Sequence, residues 1–190
     1  MIKLDVKLDI ARARASMRGL ESEVNKGAAR ALDRVATTVT KEATDEIRKR
    51  LNLKAGDIKA AIRKVRPYGN QSLIRDVEAR GNPLPLREYA ARMTRRGATY
   101  QVKRGAPRKV YRRNMRTGFI IERFGRHVFV RTGPNPPGPE DAPIKKVYGP
   151  GITHYFQMRA TRQRMLETAE KRWPIEFERE MRYRRMKAGL

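Results

Sequence analysis

The apolar residues of segment 20–51 recur at steps of three and four, and this periodicity constrains the fold more than any other feature of the sequence. It places them on one face of a single long amphipathic helix. The small alanines on that face would let another backbone approach closely. The members of the stripe are Leu20, Val24, Ala28, Leu32, Val35, Val39, Ala43, Ile47 and Leu51.

The segments on either side of this helix have different periodicities. Residues 1–10 alternate charged residues with Ile2, Leu4, Val6, Leu8 and Ile10, and a period of two is typical of a half-buried strand. After the long helix, residues 52–67 indicate a turn and a second, short helix that ends before Pro67, because a residue preceding proline is pushed out of the α region. The sequence therefore predicts an N-terminal strand at 1–10 and a helical part over 16–66.

Residues 72–150 have the features of short strands. The runs "SLIRDVEAR", "ATYQVKR", "GFIIERF" and "RHVFVRTG" are rich in β-branched and aromatic residues and are separated by glycines. They predict a meander in an antiparallel sheet. The proline-rich stretch at 134–143 predicts an irregular loop, since proline cannot donate a ladder hydrogen bond.

A second apolar stripe predicts C-terminal helices over 155–188. Pro174 interrupts it, so we expect one helix to end near Arg172 and another to begin with Pro174 in its first turn. We interpret Trp173, Phe177 and Met181 as a helix interface in a core or subunit contact, with a membrane face as the weaker alternative. The stripe comprises Met158, Met165, Leu166, Ala169, Trp173, Phe177 and Met181.

These patterns together predict an α+β fold in a single domain over 1–190. In it, the long N-terminal helix and the C-terminal helices pack on a central antiparallel sheet, with an extended basic hairpin or arm and a proline-rich loop.

The net charge of +25 is concentrated in the middle of the chain. Residues 61–130 carry 18 Lys and Arg against 4 Asp and Glu. The densest stretch runs from 92 to 116 without an acidic residue. It predicts either phosphate contact, with Tyr100 and Tyr111 stacking or hydrogen-bonding, or a solvated edge that protects a sheet from wrong pairing. Its cations are Arg92, Arg95, Arg96, Lys103, Arg104, Arg108, Lys109, Arg112, Arg113 and Arg116.

The sequence offers no enzyme, metal site or cofactor. It has no cysteine and no phosphate-binding or nucleophile motif. Its two histidines, His127 and His154, lack a second nitrogen ligand at helical or turn spacing. A metal-dependent nuclease using Glu140 and Asp141, with Lys145 and Lys146 nearby, is the one catalytic alternative. With no signal-peptide pattern and no run of 18 apolar residues, we expect a soluble protein made in the cytoplasm.

The order of the sequence blocks resembles the lambda-type phage minor tail protein Z family, the tail-completion proteins of long-tailed phages and prophages. The resemblance rests on "NPLPLREYAARMTRRGATYQVKRG", then "GFII" and "VFVRTG", then "APIKKVYGPGITHYF", and it covers roughly residues 20 to 186. The insertion "PNPPGPED" before Ala142 is longer than the family pattern. The last loop fits through Pro143, Ile144, Lys145, Val147, Tyr148, Gly149, Pro150 and Ile152.

This resemblance implies a non-catalytic virion protein at the head-proximal end of a phage tail. It implies a closed ring, commonly of six copies, that completes the tail for joining to the head and for DNA passage. The implied partners are other copies of the chain, tail terminator, tail tube or head–tail connector proteins, and genomic DNA in the lumen. We expect segment 92–116 to face DNA or an acidic partner. We expect a docking loop of Pro143, Ile144, Lys145, Lys146, Tyr148, Gly149, Pro150 and Ile152. The alternative is a sequence-nonspecific nucleic-acid-binding protein.

Overall fold

The computed structural model describes residues 7–17, 21–66, 73–132 and 143–189. The chain divides into two compact units. The first comprises Met1–Glu46, Lys59–Arg80 and His154–Leu190, and the second comprises Ile47–Ile58 and Gly81–Thr153. Both boundaries near residue 46 and residue 58 fall inside helices. The predicted proline-rich loop at 134–143 lies outside the described residues except for Pro143.

The helices of the chain are α1 (Lys7–Ser16), α2 (Glu21–Arg50), α3 (Ala55–Ala61), α4 (Thr153–Gln157) and α5 (Arg159–Lys187). The predicted long helix is confirmed as α2, in which Val24, Ala28 and Ala43 are fully buried. Glutamates in its first turn and the basic residues in its last turn complement the helix dipole.

The predicted N-terminal strand is wrong for residues 7–10, which are helical. Ile10 and Met17, seven residues apart, are both buried in the first unit, together with Ala13 between them. An i, i+3, i+7 spacing belongs to one face of a helix. The alternation up to Ile10 fits a strand, but burial of the following apolar residues on one helical face decides the structure. Residues 1–6 of the predicted strand lie outside the described residues.

The predicted break at Pro174 is also wrong, because α5 continues through it from Arg159 to Lys187. Trp173 and Phe177 are stacked with ring centroids 4.8 Å apart, and both are buried. The apolar stripe keeps its phase on both sides of the proline. Packing of this stripe therefore offsets the hydrogen bond that Pro174 cannot donate.

A glycine allows α2 and α5 to approach closely within the first unit. A Cβ at Gly27 would overlap the end of the Met181 side chain at Cε. Three ion pairs among the described residues join the same helices: Arg184 pairs with Glu23, and Arg34 pairs with Glu180 at 2.7 Å and with Glu176 at 3.5 Å. Arg184 and Glu180 are buried, so each needs its partner to offset the cost of desolvation.

The helix predicted over 52–67 ends earlier than expected. α3 stops at Ala61, and β1 (Ile62–Val65) then pairs antiparallel with β2 (Asp76–Ala79), with Ile62 opposite Ala79. Ile62 is buried, whereas the next two residues are exposed. The β-branched residues at 62 and 65 suit this two-stranded ribbon better than a helix.

The described residues of the second unit form eight strands of two to five residues. Sheet β3–β4–β5 consists of Arg92–Thr94, Gly97–Tyr100 and Lys109–Val110; hairpin β6–β7 consists of Arg112–Arg113 and Arg116–Thr117; and sheet β10–β9–β8 consists of Ile144–Lys146, His127–Arg131 and Phe119–Ile121. All pairings are antiparallel. The α+β class is confirmed, with the strands of the chain distributed over four small sheets.

The core of the second unit is built around Tyr89. Its ring is fully buried, its hydroxyl donates to the Pro150 carbonyl, and a Cβ at Gly149 would lie 2.5 Å from its Cε2. Val128, Val130 and other apolar side chains complete this core. The strands that carry the basic segment are thus part of a packed unit.

Candidate polyanion-binding surface

The second unit carries a charge imbalance that its own residues do not neutralise. Its sequence contains 20 Lys and Arg against 5 Asp and Glu, a net charge of +15 out of +25. Its described carboxylates are Asp57, Glu88 and Glu122. Burial raises the pKa of Asp57, and the nearby Glu88 adds to this shift, while Glu88 pairs with Arg87 at 2.6 Å. Two of the three carboxylates are therefore engaged inside the unit.

Ten of these cations lie between residues 92 and 116, and we call them the basic surface. The predicted single hairpin or arm is instead the sheet β3–β4–β5 followed by the short hairpin β6–β7, which is hydrogen-bonded to β4 through its flanking residues. Ala98 on β4 donates to the Gly118 carbonyl at 2.7 Å, and Tyr111 donates to the Ala98 carbonyl at 2.9 Å. The surface thus has a fixed framework, in contrast to a free arm. Its members are the ten residues predicted from the sequence.

Gly97 is the residue that allows this attachment. It has a φ of 108°, in the region that favours glycine, and a Cβ there would lie 2.9 Å from Thr117 Cβ and 3.1 Å from the Gly118 carbonyl oxygen. Thr117 is the last residue of β7, and Gly118 follows it directly. A side chain at position 97 would therefore separate the two hairpins.

Nine cations of the basic surface are exposed, and Arg116 is half-buried. Among the described residues, none of those nine forms an ion pair with a carboxylate, although ion pairs occur elsewhere in the chain. Arg113 stands directly opposite Arg116 in the hairpin β6–β7. Like charges directly opposite each other destabilise a strand pair, so this arrangement favours an anion between or near them.

The two turns of the basic surface differ in composition. Arg95 and Arg96 occupy the turn between β3 and β4. Asn114 and Met115 form the turn between β6 and β7, with φ of 48° and 61°. Positive φ at both central positions is the requirement of a type I′ turn, where glycine normally takes the second place. Met115 is 97% exposed, so it makes almost no contact that offsets this strain.

One cation of the predicted set has an internal role. The Arg108 guanidinium donates to the Ala90 carbonyl and lies 3.4 Å from the Thr99 carbonyl. Ala90 has a φ of 51°, so Arg108 stabilises a strained backbone position. Arg108 is therefore partly committed to the fold of the unit, which its position in a basic run did not reveal.

The tyrosines predicted to stack on bases contact each other. The rings of Tyr100 and Tyr111 have centroids 6.3 Å apart and are inclined by 58°. Both residues are half-buried. This contact helps to hold β4 to the start of hairpin β6–β7.

The predicted docking loop is divided between core and surface. Ile152 is fully buried and Gly149 lies against the Tyr89 ring, so both are internal packing residues. Ile144 and Tyr148 are 39% and 52% exposed, and Lys146 Nζ lies 5.5 Å above the Tyr148 ring. Ile144, Lys145 and Lys146 form the strand β10, and Pro143 and Pro150 are exposed beside it. A docking role stays a prediction for these exposed residues.

His127 lies beside Lys146 in the same sheet. Lys146 Nζ is 3.0 Å from His127 Nε2, and burial, reinforced by the Lys146 charge, lowers the pKa of His127. A neutral ring that accepts from the ammonium group fits this geometry. Among the described residues no group of three or more His, Asp or Glu side chains has metal-binding geometry. Glu140 and Asp141 of the nuclease alternative lie outside the described residues.

The predicted helix interface is internal to the first unit. Trp173, Phe177 and Met181 are 3%, 9% and 4% exposed. They form a core contact, which was one of the two predicted alternatives. None of the helices in the described part of the chain is long and apolar enough to cross a membrane.

A family model described as prophage minor tail protein Z (GPZ) matches residues 10–187 of the chain. The match covers both units, including the whole basic surface. No curated protein and no solved structure matches the chain.

Proposed function

The chain belongs to the prophage minor tail protein Z family, and on this premise we propose that it forms a closed ring at the head-proximal end of a phage tail. The family makes the protein a minor tail protein, with a structural role in the virion. The proposed ring completes the tail for joining to the head and for DNA passage. We further propose that it catalyses no reaction.

The observation that supports this proposal is the unneutralised charge of the second unit. Nine exposed cations have no acidic partner among the described residues. A ring of about six copies would collect these charges around one axis. Repulsion of that size is tolerable only beside a polyanion or bound counterions. Genomic DNA and an acidic neighbouring protein both meet this requirement.

The exposed part of the docking loop supports contact with neighbouring tail proteins. Ile144 lies on β10 and Tyr148 forms a bridge to Pro85, so both present apolar surface on a fixed backbone and ordering them on docking costs little entropy. A tail terminator, tail tube or head–tail connector protein is the proposed neighbour. Synthesis in the host cytoplasm and incorporation into the virion complete the proposal.

Light scattering of the purified protein and electron microscopy of assembled tails test the ring. We expect a discrete closed oligomer and a tagged copy at the head-proximal end. A monomer that is missing from that end would contradict the proposal. The alternative function, a sequence-nonspecific nucleic-acid-binding protein, is favoured by the same unpaired cations. It predicts a monomer that assembles only when nucleic acid is added.

Catalysis is tested separately with plasmid DNA and magnesium. We expect no cleavage by the purified protein. Cleavage that is lost in the Asp141→Ala variant would instead establish the nuclease alternative.

A further inference from the structure

The turn Asn114–Met115 combines three features that the fold itself does not require. Among the described residues, Met115 is the most exposed large apolar side chain, at 97%, and it adopts a φ of 61° where glycine would be unstrained. Arginines flank the turn on both sides. Strain that brings no internal contact is an observation that points to function.

We propose that this tip, residues 112–116, inserts into the minor groove of duplex DNA, with Met115 as an apolar wedge against the bases. This inference rests on the proposal that the basic surface faces nucleic acid. It specifies the minor groove as the part of the DNA that is contacted and Met115 as the residue that contacts the bases.

The composition of the tip favours DNA over an acidic protein. Proteins of the minor groove use Arg and Asn to contact its floor, and they insert apolar side chains such as Met between base steps. Arg113, Asn114, Met115 and Arg116 supply these residue types in four consecutive positions. An acidic protein surface would attract the arginines, but it gives no reason for an exposed methionine.

The charge around the tip fits an extended polyanion. No acidic residue occurs between Glu88 and Glu122, and the rest of the basic surface lies on β3 and β5 and in the connections on either side of β4. These cations contact phosphates, which fixes position without reading sequence. The tip then adds a contact that deforms the duplex and depends on its flexibility.

The framework places the tip where it can act as a rigid wedge. Hairpin β6–β7 is joined to β4 through Ala98, Tyr111 and Gly118. A wedge needs such support, since a flexible arm would fold back and lose the energy of insertion to ordering costs.

The test measures binding and bending of a labelled 30-base-pair duplex by the full-length protein, using anisotropy and energy transfer between the duplex ends. We expect the wild type to bend the DNA. Met115→Ala is expected to abolish the bend and weaken binding about tenfold, as expected for losing most of one buried methionine, while the salt dependence stays unchanged. Met115→Gly should behave alike and keep the fold, because glycine suits the turn.

Met93→Ala is the matched control, because Met93 is another exposed methionine of the same unit, at 56%. It should bind and bend DNA like the wild type. The wedge proposal is overturned if the Met115→Ala and Met93→Ala variants bend the DNA equally. It is also overturned if the wild-type protein binds the duplex without bending it, or does not bind the duplex. If the Met115→Ala variant still binds DNA but is no longer incorporated into tails, the tip contacts a pocket of another protein. That result would also overturn the wedge proposal. The ring proposal is tested independently, by the oligomeric state of the purified protein and its position in assembled tails.

Discussion

The indole Nε1–H of Trp173 donates a hydrogen bond of 2.8 Å to Asp9 Oδ2, a carboxylate 164 residues earlier in the chain. This bond joins α1 to α5 within the first unit. Trp173 is also stacked on Phe177. The hydrogen bond ties α1 to α5, and the stack holds the indole in place within α5.

Replacing Trp173 with Phe should therefore destabilise the protein. The substitution removes a hydrogen bond to a charged acceptor and part of the buried ring, with an expected loss of about 2–3 kcal/mol. Urea denaturation followed by circular dichroism measures the change, since Trp173 is the single tryptophan. Asp9→Asn keeps an acceptor and should cost less. A Trp173→Phe variant as stable as the wild type would contradict this contribution.

Gly97→Ala should destabilise the second unit more than Gly105→Ala. Both glycines have positive φ, at 108° and 78°, so both substitutions introduce backbone strain of about 1 kcal/mol. Only at Gly97 would the new Cβ also meet Thr117 and the Gly118 carbonyl, whereas nothing lies within 4 Å at Gly105. We expect Gly97→Ala to cost about 2–3 kcal/mol in thermal unfolding. Similar costs at both positions would contradict the close approach of the two hairpins.

Stability should fall in acid because of Glu23. Hydrogen bonds from Lys26 and Arg184 lower the pKa of Glu23 from 4.5 to about 2. A group whose pKa is lower in the folded state contributes stability above its unfolded pKa and loses it as the pH falls through the folded value. Glu23 should thus contribute fully above about pH 4.5 and progressively less down to about pH 2.

The Glu23→Gln variant tests this acid dependence. The urea midpoint of the variant should change less than that of the wild type between pH 4.5 and pH 2. Glu178→Gln is the control, because Glu178 pairs with Arg182 on the exposed face of α5, where an ion pair contributes little. Parallel acid curves for Glu23→Gln and the wild type would argue against the ion pairs at Glu23.

Arg113→Gln should stabilise the protein at low ionic strength. Arg113 stands opposite Arg116, and removing one of two opposed like charges is expected to add about 0.5 kcal/mol. The gain should disappear in 1 M salt, where screening removes the repulsion. Arg182→Gln removes an equal charge from an exposed ion pair and should give no gain. A destabilised Arg113→Gln would indicate an anionic partner inside the unit.

Neutralising four arginines separates DNA contact from assembly. The variant changes four arginines to Gln: Arg95, Arg96, Arg112 and Arg113. We expect the slope of log binding constant against log salt concentration to decrease by up to about 0.9 per lost phosphate contact, while the oligomer stays intact. Changing Arg12, Arg30, Arg159 and Arg172 to Gln removes the same charge from the first unit and should preserve the slope. Dissociation of the oligomer in the first variant alone would place those arginines in a protein interface.

Periodicity in the sequence determined the long helix and the class of the fold. The stripe from Val24 to Leu51 repeats often enough that one helical face explains it, and its burial confirms the prediction. The family match confirms the resemblance that the order of the blocks indicated. Such long regular patterns can be recognised from the sequence alone, because each residue adds to the same pattern.

Local patterns failed where a distant contact decided the outcome. Ile10 fits a strand by alternation and a helix by its spacing to Ala13 and Met17, and only packing in the first unit selects the helix. Pro174 is tolerated within α5 because the apolar stripe packs on both sides of it. Sequence patterns give the preferences of a segment, but not the burial that overrides them.

The basic surface shows the same division. The sequence determined its cations and the absence of acidic residues between Glu88 and Glu122. Only the tertiary structure decided that the segment forms the sheet β3–β4–β5 and the hairpin β6–β7, that Arg108 supports Ala90, and that Met115 stands exposed at a turn. Charge is a property of each residue, whereas exposure and strain depend on where the rest of the chain lies.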